Sequence, residues 1–337
     1  MAWYNTTGKA CDTVISSRVR LARNLNGYPF ASKLDIAGAN EIIEKVSAPL
    51  ESSGFRKINF ADLSPIMATS YVERHYVSPE FATKDTPHAL LLQEQSGIAV
   101  MVCEEDHLRI QAILPGLSLE EAYQNALRAE KRLDEDFDFA YSEQLGYLTH
   151  CPTNLGTGMR ASVMMFLPAL TRGGYMDSLA TQLSKIGLTM RGLFGEGSGA
   201  AGCMYQISNQ ITLGITEEET LRKLGEAIKQ INESEHKARK AITGDVLDRL
   251  TDRIKRAEGT LKYAYMLSSS EFIKLFADVR FGIALGIVED INYEQLGTLL
   301  VEAMPATLTL STENPPKTEA ARDKLRAQKI QSVLQNK

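Results

Sequence analysis

The sequence predicts an α+β catalytic domain followed by an all-helical C-terminal unit. Three observations carry that expectation. Between about residues 88 and 215, short apolar segments of strand type alternate with amphipathic stretches of helical spacing. Residues 217–258 form a long charged stretch with Ala and Leu at helical intervals. From residue 260 to the end the pattern is helical throughout. The expected division is residues 1–255 and 256–337.

The elements follow in chain order. Residues 1–35 are irregular, with a strand-like Thr13-Val14-Ile15-Ser16 running into an Arg-rich loop. Residues 36–82 hold at least two amphipathic helices. Gly97–Cys103 and Met204–Ile211 are expected strands; Leu119–Arg132 and Tyr175–Ile186, with apolar residues at i, i+3 and i+4, are expected helices. Residues 217–258 make one helix or two. Asn314-Pro315-Pro316 interrupts the helical pattern and sets off a last helix from about Thr318 to Leu334, with Thr318 and Glu319 as a start signal.

Composition narrows the function classes. An apolar fraction of 44% and a charged fraction of 23% are ordinary for a globular protein, and 337 residues suffice for a large domain and a smaller one. A net charge of −5 does not suit wholesale nucleic-acid binding, so an anion site must be built locally from clustered Arg or Lys. No apolar run approaches the ~18 residues of a membrane span. The first residues lack the charged and apolar regions of a signal peptide. Cys11, Cys103, Cys151 and Cys203 are far apart, which argues against a disulfide framework or a zinc site and fits a reducing cytoplasm. Five scattered histidines suggest no metal cluster.

No P-loop is present, and no G-x-G-x-x-G follows an expected strand. A nucleotide would need other cations, and five arginines stand in distinctive settings. Arg18 and Arg20 lie in Ser16-Ser17-Arg18-Val19-Arg20, where alternate residues of an extended segment face one way. Arg109 closes Glu104-Glu105-Asp106-His107-Leu108-Arg109. Arg160 follows Asn154-Leu155-Gly156-Thr157-Gly158, and Arg191 opens Arg191-Gly192-Leu193-Phe194-Gly195-Glu196-Gly197. Guanidinium forks suit phosphate oxygens because they donate two parallel hydrogen bonds and stay charged at every working pH.

Cys151-Pro152-Thr153-Asn154-Leu155-Gly156-Thr157-Gly158-Met159-Arg160-Ala161-Ser162 resembles the signature of the phosphagen (guanidino) kinases, and the other three segments resemble further family segments in the family's order. The resemblance implies an antiparallel sheet flanked by helices in the catalytic domain, with ATP and Mg²⁺ as the phosphoryl donor. It implies that Arg18, Arg20, Arg109, Arg160 and Arg191 clamp the ATP phosphates. The ATP-contacting segments become Ser16–Arg20 (with Ser17 and Val19), Arg160-Ala161-Ser162-Val163-Met164 and Arg191-Gly192-Leu193-Phe194-Gly195. His75 resembles a nucleotide-contacting histidine of the family; a second one is replaced here by Met164. No dedicated protein metal site is implied; Mg²⁺ comes with ATP.

A guanidinium is a poor nucleophile, protonated up to a pKa of about 12.5–13.8. A kinase acting on it needs carboxylates to fix the group and accept its proton, and cations around the γ-phosphoryl group. Glu105 matches the family's catalytic glutamate, and Glu196 falls where arginine-specific members carry a second one. Taken alone, Glu104–Asp106 would be a solvated acidic turn and Glu196 part of a Gly-rich loop. Cys151 matches the family's reactive cysteine, an orienting thiolate and not a covalent nucleophile; taken alone it is a small buried hydrophobe.

The Arg-rich segment begins almost at the chain start, so the helical N-terminal domain of small-molecule guanidino kinases is expected to be missing, while the C-terminal end is extended. That layout resembles the bacterial protein arginine kinases. In Arg322-Asp323-Lys324-Leu325-Arg326-Ala327, two arginines four apart would repel on one helical face unless an anion lay between them. The segment resembles that family's phosphoarginine-binding motif, with Arg322, Asp323 and Arg326 as an allosteric site; taken alone it is an ordinary charged surface helix. The resemblance implies transfer to arginine side chains of proteins, marking them for an unfoldase–protease and acting on a stress-response repressor. It also implies a homodimer through the C-terminal helices and a zinc-binding activator. Two other functions compete: a small-molecule arginine kinase, and a non-enzymatic phosphoarginine adaptor with a relict kinase domain.

Overall fold

A computed structural model of the chain describes residues 2–192 and 201–335. Ten strands and twelve α-helices are described, beginning with β1 (Val14–Arg23), α1 (Ile36–Ser52), β2 (Arg56–Asn59), α2 (Pro65–Glu73) and α3 (Pro79–Ala82). Then come β3 (Ala89–Gln93), β4 (Ile98–Val102), β5 (Leu108–Pro115), α4 (Leu119–Asp134), β6 (Tyr141–Ser142), β7 (Gly146–Tyr147) and β8 (Met159–Phe166). The catalytic part closes with α5 (Pro168–Arg172), α6 (Met176–Lys185), β9 (Leu188–Gly192), β10 (Met204–Asn209) and α7 (Glu217–Lys240). Five helices complete the chain: α8 (Gly244–Tyr263), α9 (Ser269–Ala284), α10 (Tyr293–Glu302), α11 (Pro305–Leu310) and α12 (Glu319–Gln335).

Eight strands form one sheet in the order β2-β3-β4-β5-β1-β8-β10-β9, and β6 pairs with β7 apart from it. Every paired neighbour is antiparallel, as the family resemblance implies. Strand alternation then sorts side chains by face. Val19, Leu21, Ile110, Ala112, Ala161, Val163, Met165 and Ile207 point to one side and pack with Ile42, Val46, Ala122, Ala126, Leu224 and Ile228 of α1, α4 and α7. Burying those side chains, each worth roughly 1.5–3 kcal/mol for a large aliphatic group, fixes the register. A slip of one residue would exchange the two faces.

Two differences from the sequence expectation have physical causes, and one open alternative is decided. The Arg-rich segment is not a loop: Arg18 and Arg20 lie within β1, the central strand between β5 and β8. Residues 217–258 divide into α7 and α8 at the turn 241–243. The division expected at 255/256 therefore falls inside α8, whose Leu250 and Ile254 pack with Phe272, Phe276 and Leu296 in the C-terminal core. The helical unit begins with α8.

Two glycines of the signature loop need their conformations. Gly156 has φ +102° and Gly158 +59°; a Cβ on Gly156 would lie 2.1 Å from the Thr212 carbonyl oxygen, and one on Gly158 2.5 Å from Arg23 Nη1. The close approach seats the loop against the strands that carry the arginines.

The last helix begins as expected: the Thr318 hydroxyl accepts a hydrogen bond from the Ala321 amide at 3.2 Å. Among the described residues no helix is long and apolar enough to cross a membrane.

Candidate active site

The sheet face opposite the main core is polar because alternate positions of four adjacent strands carry hydrogen-bonding side chains. Register aligns them: Arg20 stands opposite Gln111 on β5 and Arg160 on β8, while Arg18 stands opposite Ser162. Gln206 of β10 is level with Met164 on one side and Arg191 on the other. Antiparallel pairing thus places arginines far apart in sequence on one surface.

A cleft of about 190 Å³ opens there, lined by Arg20, Arg109, Arg160, Glu105, Cys151 and Asn154. A smaller recess beside β1 is lined by Ser16, Arg18, His75, Ser162, Met164 and Gln206. The two cavities bring together most of the described residues among those expected in catalysis and nucleotide binding. Four expected ATP contacts turn the other way. The side chains of Val19, Ala161 and Val163 are fully buried in the core. The Ser17 hydroxyl donates to the Gly116 carbonyl at 2.8 Å and accepts from the Ser118 amide at 3.0 Å, a contact that anchors the start of α4. Alternation makes this unavoidable: a segment that presents Arg18 and Arg20 to the cleft must present Ser17 and Val19 to the core. Arg191 and Gly192 end β9. Leu193, Phe194, Gly195 and the expected catalytic Glu196 lie outside the described residues.

The arginines are short of counter-charge. Burial pushes Arg18 down to about 10, assisted by Arg109 and Arg160. Burial also drives Arg20 well below its ordinary range, with Arg18, Arg109 and Arg160 adding repulsion and Glu104 opposing it. Arg160 is lowered by burial and by Arg191 and Arg109. Guanidinium groups stay charged under such pressure, so the cluster is a concentrated positive field. Neutral groups give partial support: Arg18 Nη2 donates to Gln206 Oε1 at 3.1 Å, and Arg160 Nη2 to Ser208 Oγ at 3.1 Å. The buried Nε atoms of Arg20 and Arg160 have no hydrogen-bond partner among the described residues. Buried donors of this kind call for acceptors, and several phosphate oxygens would satisfy donors and charge together.

The acidic loop between β4 and β5 is rigidly built. Cys103, at φ +62°, starts the turn, and its amide donates to the His107 carbonyl at 2.8 Å. Glu104 accepts from Arg109 Nη1 at 2.5 Å, from Ser78 Oγ at 2.9 Å and from the Glu105 amide at 2.8 Å. Burial works to raise its carboxyl, but Arg109, the Glu105 amide and Ser78 outweigh that and hold it below the usual range. Glu105 is exposed to the cleft. Partial burial, then Asp106 and Glu104, raise its carboxyl above the usual range against the pull of Arg109 and His150. Two neighbouring carboxylates are therefore pushed apart, one tied to a cation and the other a better base.

Residues outside the sequence expectation hold this loop. Buried Asp106 accepts from Asn24 Nδ2 and from the His150 amide, both at 2.7 Å, which ties the acidic loop to the segment carrying Cys151. Asn24 Oδ1 accepts from the His107 amide at 2.9 Å. The His107 ring accepts from the Leu25 amide at Nδ1 and donates from Nε2 to the Pro29 carbonyl at 2.7 Å. Cys151 Sγ lies 3.0 Å from the Thr153 hydroxyl. His75 has φ +61° and packs edge-on against Trp3. Burial and Arg18 push its imidazole down to about 4, so it is neutral at working pH.

The C-terminal motif departs from its expected form. Arg326 is 1% exposed. Its Nε donates to the Ala303 carbonyl at 2.9 Å, and its Nη1 to the Leu267 carbonyl at 2.8 Å and to Asp323 Oδ1 at 2.5 Å. Arg322 and Arg326 do not flank an open anion position. Arg326 pins α12 to the turns before α9 and α11, and Arg322 remains half-exposed beside Asp323.

Comparison with known proteins agrees with this geometry. Residues 39–238 match the family model for the ATP:guanido phosphotransferase C-terminal catalytic domain, and residues 247–337 match that for the protein-arginine kinase McsB C-terminal domain. A protein-arginine kinase of Clostridium acetobutylicum is 42% identical over 311 residues, covering 91% of this chain and 92% of that protein. One from Halothermothrix orenii is 39% identical over 335 residues, covering 98% and 96%. Among solved structures, the duplicated taurocyamine kinase of Schistosoma mansoni with bound transition-state analogue components superposes with a TM-score of 0.62 at 25% identity. It covers 79% of this chain, which spans 40% of that longer one. A lombricine kinase shares the fold at a TM-score of 0.58 and 22% identity, covering 67% of each chain. The chain belongs to the protein-arginine kinase family of ATP:guanido phosphotransferases.

Proposed function

We propose that this chain transfers the γ-phosphoryl group of ATP to the guanidinium of arginine side chains in proteins. The observation that carries the reading is the cluster of half-buried arginines, two of them with buried Nε atoms lacking a partner, beside an exposed Glu105 with raised basicity. Arg18, Arg20, Arg109, Arg160 and Arg191 hold the polyphosphate and neutralise charge on the migrating phosphoryl group. Glu105 orients the guanidinium and accepts its proton as the N–P bond forms and the bond to the β-phosphate bridging oxygen breaks, releasing ADP. Cys151 lines the same cleft and assists orientation, and Glu196 is assigned the partner carboxylate by family likeness. Mg²⁺ bound to ATP supplies further charge neutralisation. By family likeness the nucleotide's own phosphate oxygens would carry the ion.

The finer parts of the reading concern regulation. Phosphoarginine on client proteins would be recognised at Arg322 and Asp323, with Arg326 holding Asp323 in place. Exposed Tyr263, Tyr265 and Met266 on the C-terminal unit support a homodimer contact there. A cytoplasmic stress-response role, with an unfoldase–protease downstream and a zinc-binding activator, rests on family likeness. The test is incubation with Mg·ATP and either free arginine or unfolded casein. Acid-labile phosphate on casein supports a protein kinase; label on free arginine alone identifies a small-molecule kinase, and no label identifies an adaptor.

A further inference from the structure

Glu73, the last residue of α2, accepts three hydrogen bonds from the C-terminal unit. Its Oε1 takes the Ala306 amide at 2.9 Å, and its Oε2 takes the Thr307 amide and hydroxyl, each at 2.7 Å. Ser70 Oγ, one turn earlier, lies 3.0 Å from the same Thr307 hydroxyl. Such charge-assisted bonds are short and strong, and they join segments more than 230 residues apart.

Beyond Glu73 the chain reaches His75, which lines the recess beside β1 with Arg18 and Ser162. The helix ends in a turn whose His75 adopts a left-handed backbone that a β-carbon disfavours. The turn is held from three sides. The Trp3 indole donates to the Arg74 carbonyl at 3.0 Å, Gln111 Nε2 donates to the His75 carbonyl at 2.8 Å, and Glu73 ties its root to α11. Gln111 stands directly across from Arg20 in the register. Val301 of α10 packs in the same apolar cluster as Trp3, Tyr76 and Phe81.

We propose that Glu73 is a positioning residue for nucleotide binding, making the C-terminal helical unit a structural part of the ATP site. It touches neither substrate. It sets the placement of His75 against Arg18 and Ser162, and so acts on ATP affinity and not on the arginine-side chemistry. This rests on the proposed ATP-dependent reading.

The test is titration of the full chain with Mg·ATP by calorimetry, for wild type, Glu73→Gln and Thr307→Val. Glu73→Gln sets an amide donor against the amides it should accept from. Thr307→Val removes only the hydroxyl and keeps the fold available should Glu73→Gln misfold. The expected result is a Kd for Mg·ATP raised about fivefold or more in Glu73→Gln and less in Thr307→Val, in the range of a lost positioning contact. In kinetics the KM for ATP rises while kcat and the KM for casein hold within about twofold. Glu73→Asp recovers part of the affinity. If wild type binds Mg·ATP and both variants bind it equally well, or if kcat falls with the KM for ATP unchanged, the inference is overturned while the kinase reading stands. If wild type binds no Mg·ATP, both fall together.

Discussion

Glu104 and Arg109 form a 2.5 Å ion pair across the loop that also carries Glu105. The pair separates two adjacent carboxylates by role: Glu104 neutralises part of the arginine cluster and fixes the loop, and Glu105 is left free at the cleft. Removing the Glu104 charge should free Arg109 and loosen the loop without deleting the base. Glu104→Gln is expected to lower kcat/KM by about tenfold to a hundredfold, through both ATP and protein substrate. Steady-state kinetics with each substrate varied in turn checks this; a change confined to one KM would contradict the shared role.

Glu105→Gln keeps the shape and removes the proton acceptor. kcat should fall by about 10²–10⁴-fold, the usual contribution of a general base, with Kd for Mg·ATP changed less than about twofold. Because its carboxyl is raised above the usual range, the acid limb of the wild-type rate profile should lie above the ordinary Glu value of about 4.3. A limb at or below that value would mean another group sets it.

His75 titrates in the opposite sense. Its folded-state value of about 4 lies below the ordinary 6.5, so the unfolded chain binds more protons between those values. The contribution to stability is therefore fully present above pH 6.5 and is lost as pH falls through about 4. His88 and His107, lowered chiefly by burial, act in the same sense. His75→Gln should flatten part of the stability decline on acidification, measured by urea unfolding at several pH values. An unchanged slope would show that His75 titrates alike in both states.

Arg326→Ala leaves two backbone carbonyls and the Asp323 carboxylate without their donor. A loss of about 2–4 kcal/mol is expected, as for other broken buried networks, with α12 released from the C-terminal core. Arg322→Ala should cost under about 0.5 kcal/mol, as at ordinary surface positions, yet weaken binding of a phosphoarginine peptide. Thermal unfolding and peptide titration of both variants separate the roles. Equal stability of the two would contradict the buried-pin assignment.

The polar face of the sheet was legible where chemistry and alternation coincide. Arg18 and Arg20 announce a shared face in sequence, and the signature loop places Arg160 and Cys151 near them. Their convergence needed the antiparallel register, which no local spacing encodes. Choosing Glu105 over Glu104 as the free carboxylate came from resemblance; the residues show it only once Arg109 and Ser78 are seen to claim Glu104. A motif read as a whole segment overstates its contacts, because strand alternation hides every second side chain, as Val19 and Val163 illustrate. Arg326 departs from its expected exposure for a similar reason. It shares a four-residue spacing with Ile330 and Leu334 on the buried stripe of α12, but a charged residue reads as exposed until its buried acceptors are known. Contacts such as Glu73 to Thr307 leave no periodic signal.

The proposed reaction ends with phosphate on a guanidinium nitrogen held in protein. The most direct measurement is the chemical identity of the product: unfolded casein incubated with the full chain and Mg·ATP, digested, and mapped by mass spectrometry under neutral conditions. Phosphate is expected on arginine residues, lost on mild acid treatment and missing when Glu105→Gln replaces the wild type. Phosphate confined to serine, threonine or tyrosine, or arginine phosphate undiminished by Glu105→Gln, would contradict it.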